Sequence, residues 1–566
     1  MLSPLYGLAI VLVLAALGAA LARFFRQPAL IAYLAVGLAL PWLGIFDVAG
    51  HKETLALFSD LGLMFLLFLV GLEMNISSVR QIGRDSLLLG LGQLLFTWVG
   101  GFCIALLFAF STLEAFFIGL AFALSSTVLA VGLLAEKKDQ SSLYGKLSVG
   151  ILLVQDFIVV LALVLLSGFP KGITLFSLAG LGSASFVLLK GMALFVFAFL
   201  LGKRIIPFLF ERVARSEDLV FVVSLAWVFL IAVLTELLGF SVAIGGFLAG
   251  LSLANSYEHF QIASRMRSLR DFFLIAFFVF LGTTLSTTIT TIHWVPVLSF
   301  IIFVLVGNAL VVAALAGFLG YRRRTAFFTG VLVAQVSEFS FILGYLLHAL
   351  GHIEEQTVGL ITTVGVLSIA ISAYLISRSE ELFSFFKDWL GIFERRRPKE
   401  MARSLLHKKP VILIGFHRTG QAFAHAFLEK DSLLIVDYDP AVITEWKRCG
   451  YHYLFGDMND ETVVDEGGFR EAQLIISTCP DLANNVLLLQ TLDKHKKQNG
   501  GPAIVVRART ATEADLLYQA GADYVFLPDA SIGRHLANLF SEEGHIPFAS
   551  LRLQDRELLS KTTCPL

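Results

Sequence analysis

Through the first 380 or so residues, apolar residues gather in runs close to the twenty that span a bilayer, separated by short polar loops. Thirteen runs can be marked, starting near residues 5, 28, 54, 86, 114, 145, 184, 217, 239, 271, 293, 325 and 356. The stretch 171–202 is the least regular, and its Lys190 is expected near a helix end, where the ammonium can snorkel to the interface. The first run lacks a basic leader and a small-residue cleavage site, so it reads as a membrane helix rather than a signal peptide. Basic residues alternate by loop: seventeen, from Arg23 to Arg324, fall in one set, against Lys52 and Lys171 in the other. Basic loops stay in the cytoplasm, which places the N-terminus outside and everything after residue 375 inside.

The pattern changes at "SRSEELFSFFKDWLGIFERRRPKE", an amphipathic stretch expected to lie on the membrane surface. Beyond it, short β-branched runs ("VILIGF", "LLIVDYD", "QLIISTC", "AIVVRAR", "YVFLPD") alternate with helical stretches, the signature of βαβ units on a parallel sheet. The expected layout is a transmembrane domain over 1–378, a linker over 379–408, a Rossmann-like domain over 409–540 and a tail over 541–566. The fold class is thus a polytopic α-helical membrane protein with a C-terminal α/β cytoplasmic domain. "FLVGLEM" (68–74) and "VFLGTTL" (279–285) each set a glycine near the end of a span in opposite halves, the kind of echo an inverted repeat leaves.

Composition agrees: 57% of residues are hydrophobic and 15% charged, with a mean hydropathy of +0.78. A net charge of −1 points away from a nucleic-acid partner. Cys103, Cys449, Cys479 and Cys564 have neither disulfide nor metal-ligand spacing, so no metal site is expected.

Against this apolar background a few polar groups stand out. "LLVQDFIVV" buries Gln155 and Asp156 in mid-span, where a carboxylate costs at least ~2.5 kcal/mol on insertion scales. The functional reading of Asp156 is a group that trades a proton for a cation, with Gln155 adding a neutral oxygen beside it. "ALSSTVLAVG" brings Ser125, Ser126 and Thr127, and "AQVSEFSFILG" brings Gln335, Ser337, Glu338 and Ser340, to comparable depth. If both segments are broken helices meeting at mid-membrane, their free carbonyls and dipoles create a cation site beside Asp156.

"SSTVLAVGLLAEKKDQSSLYGKLSVGILLVQDFIVV", "ELLGFSVAIGGFLAGLSLANS" and "AQVSEFSFILG" resemble the corresponding segments of bacterial monovalent cation:proton antiporters of the Kef potassium-efflux type. The resemblance implies thirteen spans in two inverted repeats with crossing broken helices, elevator-like alternating access, a homodimer and a bacterial inner-membrane location. It implies that Asp156 binds ion and proton with Gln155, Thr127 and Ser126 around it, Gln155 favouring K⁺ over Na⁺ and electroneutral exchange for H⁺. Asn308 in "VLVGNALVV" stands where relatives commonly carry a lysine, which leaves cation and proton to compete directly for Asp156. Glu338, with Ser337, Gln335 and Asn308, is expected to support the site rather than bind the ion. The basic loop "NSYEHFQIASRMRSLRD" replaces the acidic loop of glutathione-gated members, which speaks against glutathione gating through it.

In the C-terminal domain, "VILIGFHRTGQAFAHAF" presents Gly415, His417 and Gly420 at the three small-residue positions of a dinucleotide fingerprint. The middle glycine is lost, while the helix start at Arg418 and Thr419 still offers amides to an anion. Asp437 falls at the ribose-hydroxyl position. Together with Asp457 and "VVRARTATEADLLYQAGADYVFLP", these residues resemble the nucleotide-binding regulatory domain of potassium channels and transporters. That resemblance implies an adenine nucleotide, AMP or NAD(H), and an anionic regulator near Arg507 and Arg509. A ligand-gated potassium channel is the alternative, but no carbonyl-filter motif is present. An oxidoreductase lacks a catalytic constellation, so no enzyme activity is expected.

Overall fold

The computed structural model describes residues 4–43, 52–73, 83–167, 217–386, 409–437, 451–499 and 501–542, apart from short gaps within them, and parts of 189–204. The chain divides into two compact units, one holding most of residues 1–391 and the other the C-terminal segment from 392 with two short loops.

In the first unit the apolar runs form helices α1 (Pro4–Phe24), α2 (Ala29–Leu43), α3 (Lys52–Glu73) and α4 (Arg84–Leu107). A broken pair follows, α5 (Thr112–Phe122) and α6 (Thr127–Lys137), then α7 (Leu143–Ser167). The second half supplies α8 (Glu217–Leu237), α9 (Val242–Leu253) and α10 (His259–Thr288). Next come α11 (Trp294–Ile302) and α12 (Asn308–Leu319), joined by a π-helical turn over Phe303–Gly307. A second broken pair, α13 (Arg323–Val333) and α14 (Glu338–Ala349), precedes α15 (Glu355–Ser377) and the short amphipathic α16 (Ser379–Phe386). Among the described residues, nine helical stretches are long and apolar enough to cross a membrane, with shorter apolar helices beside them. Most of 171–202 lies outside the described residues; Lys190 is described and holds its ammonium 5.5 Å from the Phe240 ring centroid.

Many helix faces end in exposed apolar side chains, as at Leu87, Leu88, Leu91 and Leu95 of α4 or Leu219, Val222, Phe229 and Leu230 of α8. In water such rows would be a liability; against acyl chains they are solvated.

The inverted repeat can be read from close backbone approaches. A Cβ added to Gly71 of α3 would collide with the Phe247 carbonyl of α9, and one added to Gly282 of α10 with the Leu34 carbonyl of α2. Counted from the start of each half, α2 corresponds to α9 and α3 to α10, so the two crossings are equivalent. The echo glycines therefore perform the same task twice: without Cβ atoms, backbones approach closely where lipid provides no hydrophobic drive.

The second unit carries a six-stranded parallel sheet of order β3-β2-β1-β4-β5-β6. Its strands are β1 (Val411–Ile414), β2 (Leu433–Asp437), β3 (His452–Phe455), β4 (Leu474–Ser477), β5 (Ala503–Arg507) and β6 (Tyr524–Phe526). Helices α17 (Arg418–Ala426), α18 (Glu461–Glu466), α19 (Leu482–Asn499), α20 (Ala511–Gln519) and α21 (Pro528–Glu542) complete it. Ile412, Ile414, Ile475, Ile504 and Val506 build the core on one face, while Leu413, Ile435 and Ile476 build that on the other. Two buried faces explain the near-continuous apolar strands.

Gly250→Leu, which drives a side chain into the Phe68 carbonyl of α3, should destabilise the membrane unit by about 1–3 kcal/mol or more. Gly132→Ala, into open space, should leave the melting temperature in detergent unchanged; equal melting temperatures for both variants would contradict this packing.

Candidate functional site

A helix that stops in mid-membrane leaves amides and carbonyls that no water can satisfy. Both breaks solve this by crossing each other. Ser337 N donates to the Leu124 carbonyl at 3.0 Å, and Ser125 Oγ donates to the Val333 carbonyl at 2.7 Å. Gln335 Nε2 donates to the Ser126 carbonyl at 3.2 Å, and Ser340 Oγ to the Ala121 carbonyl at 2.5 Å. Each half thus caps the other. Ser337 also caps its own helix, accepting from Phe339 N at 3.1 Å, and Ser368 Oγ of α15 accepts from Val336 N at 3.2 Å.

Asp156, on α7, lies at this crossing. Thr127 Oγ1, in the first turn of α6, donates to Asp156 Oδ2 at 2.8 Å. Asp156 is half-buried, whereas neighbouring Gln155 is fully buried. The carboxyl group therefore touches the unwound segment without being sealed in.

Gln155 differs from the free oxygen ligand expected beside the carboxylate. Its Oε1 accepts from Ser125 N at 3.0 Å, and its Nε2 donates to Gln93 Oε1. Both ends of the amide hold the break in α5–α6 against α4. Gln93 and Thr97 of α4 escaped notice in the sequence; their signal is one polar residue every fourth position in "GQLLFTWVG". Thr97 Oγ1 accepts from Gln93 Nε2 at 3.1 Å and donates to Asn308 Oδ1. Asn308 directly follows the π-turn, fully buried, and its Nδ2 has no partner. A buried polar relay thus runs from Asn308 through Thr97, Gln93 and Gln155 to Ser125. Glu338, at the first position of α14, is buried beside the Ser126 hydroxyl and the Val128 amide. A further intramembrane carboxyl, Asp60 of α3, meets the Tyr345 hydroxyl of α14.

In the second unit, the expected nucleotide residues converge at the carboxyl ends of the strands, where the order reverses between β1 and β4. Gly415, at φ +81°, turns the chain out of β1, and a Cβ at Gly420 would collide with the Gly415 carbonyl. The first and third fingerprint positions therefore do the work assigned to them: a left-handed turn and close helix contact. His417 lies outside the described residues, as does the side chain of Arg418; Thr419 is half-buried on the first turn of α17.

Asp437 is buried at the end of β2, and its Oδ2 accepts from Phe416 N at 2.8 Å, bracing the glycine turn. Asp457 stands half-buried just past β3. Thr478 Oγ1 lies 2.9 Å from the Gly415 carbonyl; with Cys479 it was not anticipated, and its signal is the small polar run after β4. Arg507 ends β5 with its Nε buried and unpartnered, whereas Arg509 is exposed and donates its amide to Glu513 at 2.8 Å. A glycine cradle closed by a bound carboxylate, with an unmatched guanidinium nitrogen at the same sheet edge, fits an anionic nucleotide.

Residues 10–378 match the family described as sodium/hydrogen exchanger, transmembrane. The chain belongs to the sodium/hydrogen exchanger family. Residues 411–528 of this exchanger match the TrkA-N domain. It is 28% identical over 519 residues to a protein assigned as the K(+) efflux antiporter KefB of Alkalimonas amylolytica, covering 90% of this chain and 77% of that one. It is 27% identical over 561 residues to the chloroplastic K(+) efflux antiporter 3 of Arabidopsis thaliana, covering 91% of this chain and 69% of that one. The structure of the sodium proton antiporter MjNhaP1 from Methanocaldococcus jannaschii superposes with a TM-score of 0.49 at 16% identity, over 69% of this chain and 97% of that one.

Burial pushes the Cys479 thiol up to about 11. At pH 8 only about a thousandth of it is thiolate, so iodoacetamide should label Cys479 roughly a hundredfold more slowly in the native exchanger than in guanidinium. Mass spectrometry of the labelled peptide reads this; equal rates would contradict the buried placement.

Proposed function

We propose that this exchanger moves K⁺, or less favourably Na⁺, against H⁺ through competition for Asp156. The observation that carries the reading is the Asp156 carboxyl at the crossing of two half-helices, bonded to Thr127 at 2.8 Å. A proton neutralises the carboxyl in one limb of the cycle and a partly dehydrated cation in the other, so the site crosses the membrane without net charge. Thr127 and Ser126 supply oxygens beside Asp156, while Gln155 orients them by holding the unwound backbone through Ser125. Asn308, where relatives commonly carry a lysine, supports direct one-for-one, electroneutral exchange. Access alternates as the bundle carrying the crossing slides against the other helices, an elevator motion that keeps the capped breaks intact.

The exchanger acts as a homodimer in a bacterial inner membrane, with its N-terminus outside and its C-terminal domain in the cytoplasm; the loop charge asymmetry supports this orientation. AMP or NAD(H) bound at the carboxyl edge of the sheet regulates it. Gly415 and Gly420 would admit the phosphates, Arg507 would meet their charge, and Asp437 and Asp457, at the carboxyl ends of β2 and β3, would face the sugar. The nucleotide supplies a signal rather than chemistry. Similarity to the two K(+) efflux antiporters supports K⁺ as the cation.

In proteoliposomes loaded with a pH-sensitive dye, addition of K⁺ should drive proton movement by wild type, and Asp156→Asn should abolish it, a loss of at least about 100-fold. An Asp156→Asn protein that exchanges at the wild-type rate would overturn the assignment.

A further inference from the structure

The polar groups at the crossing are satisfied with three exceptions on the two repeats: Asn308 Nδ2, Gln335 Oε1 and Glu338 Oε2 have no hydrogen-bond partner. Two of these are acceptors from the same break. Gln335 is fully buried and Glu338 is 6% exposed, so neither oxygen is completed by bulk water. A buried acceptor left without a donor costs about 1–3 kcal/mol, and a buried carboxylate more.

Both head groups converge on one residue. The Gln335 amide reaches the Ser126 carbonyl, and the Glu338 carboxyl lies at the Ser126 hydroxyl. The same carboxyl is met by its own backbone amide and by that of Val128. It therefore sits in the fork where the N-termini of α6 and α14 face each other. Each terminus carries a partial positive charge of roughly half a unit, which favours an acidic group there. Asp156 occupies another position on that first turn of α6, bonded to Thr127. Two carboxyl groups thus bracket Ser126, Thr127 and Val128.

We infer that Glu338 Oε2, Gln335 Oε1 and the oxygens of Ser126 form a second station for the transported monovalent cation, adjoining that of Asp156. The chemistry selects a cation: the unmatched atoms are acceptors and one belongs to an acidic group, on which Arg270 acts electrostatically without a hydrogen bond. The station gives Glu338 a part in binding, beyond the supporting part read from its sequence position. The helix termini favour an acidic group at this position, and the station gives its unmatched oxygen a partner. The inference rests on the exchange reading above.

The test uses the full exchanger in two measurements: apparent KM for K⁺ in proteoliposomes, and the K⁺-dependent rise in melting temperature of the detergent-solubilised protein. Glu338→Gln should raise KM at least about tenfold, with a smaller change in maximal rate, and cut the thermal rise to about half or less, while Glu338→Asp should restore both within about threefold. If Glu338→Gln does not reconstitute, Gln335→Met and Gln335→Leu should each raise KM at least about threefold. A KM within twofold of wild type for Glu338→Gln, or for both substitutes, would mean that only water fills the station and would overturn the inference while leaving exchange intact. A wild type that shows the thermal rise, reduced in Glu338→Gln, yet exchanges no cation would support the station and sink the exchange reading.

Discussion

The structure turns on a constraint of the hydrocarbon core: a chain that unwinds there must find partners for every amide and carbonyl it releases. This exchanger unwinds twice and lets each break supply the other. Ser337 N on Leu124 O, Ser125 Oγ on Val333 O and Ser340 Oγ on Ala121 O are reciprocal caps between repeats. The rest follows. The relay through Gln93, Thr97 and Asn308 holds one break in place, and glycines let the surrounding helices approach until their backbones touch. Asp156 can then meet polar backbone in a region where acyl chains would otherwise surround it.

The same constraint explains why small hydroxyl residues crowd the breaks. Ser and Thr compete for backbone groups and so weaken a helix; here that weakness lets the chain unwind, and the freed hydroxyls complete the crossing. A leucine at 125 would restore a helix former but remove the cross-repeat bond to the Val333 carbonyl, leaving it only the Gln335 amide. Polar residues in these short segments serve structure, and under the proposed exchange ion chemistry as well, since the atoms that bond backbone stand beside the carboxyl groups.

Much of the fold was legible in the sequence because membrane and sheet both impose strong periodicities. Apolar runs gave the helices, β-branched runs the parallel strands, and the paired glycine echo the repeat. The candidate site was legible where a residue violated its surroundings, as Asp156, Gln155 and Glu338 do. What stayed hidden were side chains whose meaning depends on a distant neighbour. Gln93 and Thr97 look like tolerated polar positions until Gln155 and Asn308 are seen against them, 62 and 211 residues away in sequence. Gln155 reads as a spare ligand only while its two engaged ends are unknown. Likewise Asp437 stands at the place for a ribose contact, yet its carboxylate also holds the Phe416 amide. Residue identity specified these groups' chemistry; the partner set their geometry.

Under the proposed mechanism, cation and proton share one carboxyl group at the crossing. The most direct measurement is proton release from weakly buffered, detergent-solubilised exchanger on addition of K⁺, followed with a pH indicator. Wild type should release protons in proportion to the K⁺ it binds, and Asp156→Asn should lose the release attributable to that site. Saturable K⁺ binding without proton release by wild type, or undiminished release by Asp156→Asn, would contradict it.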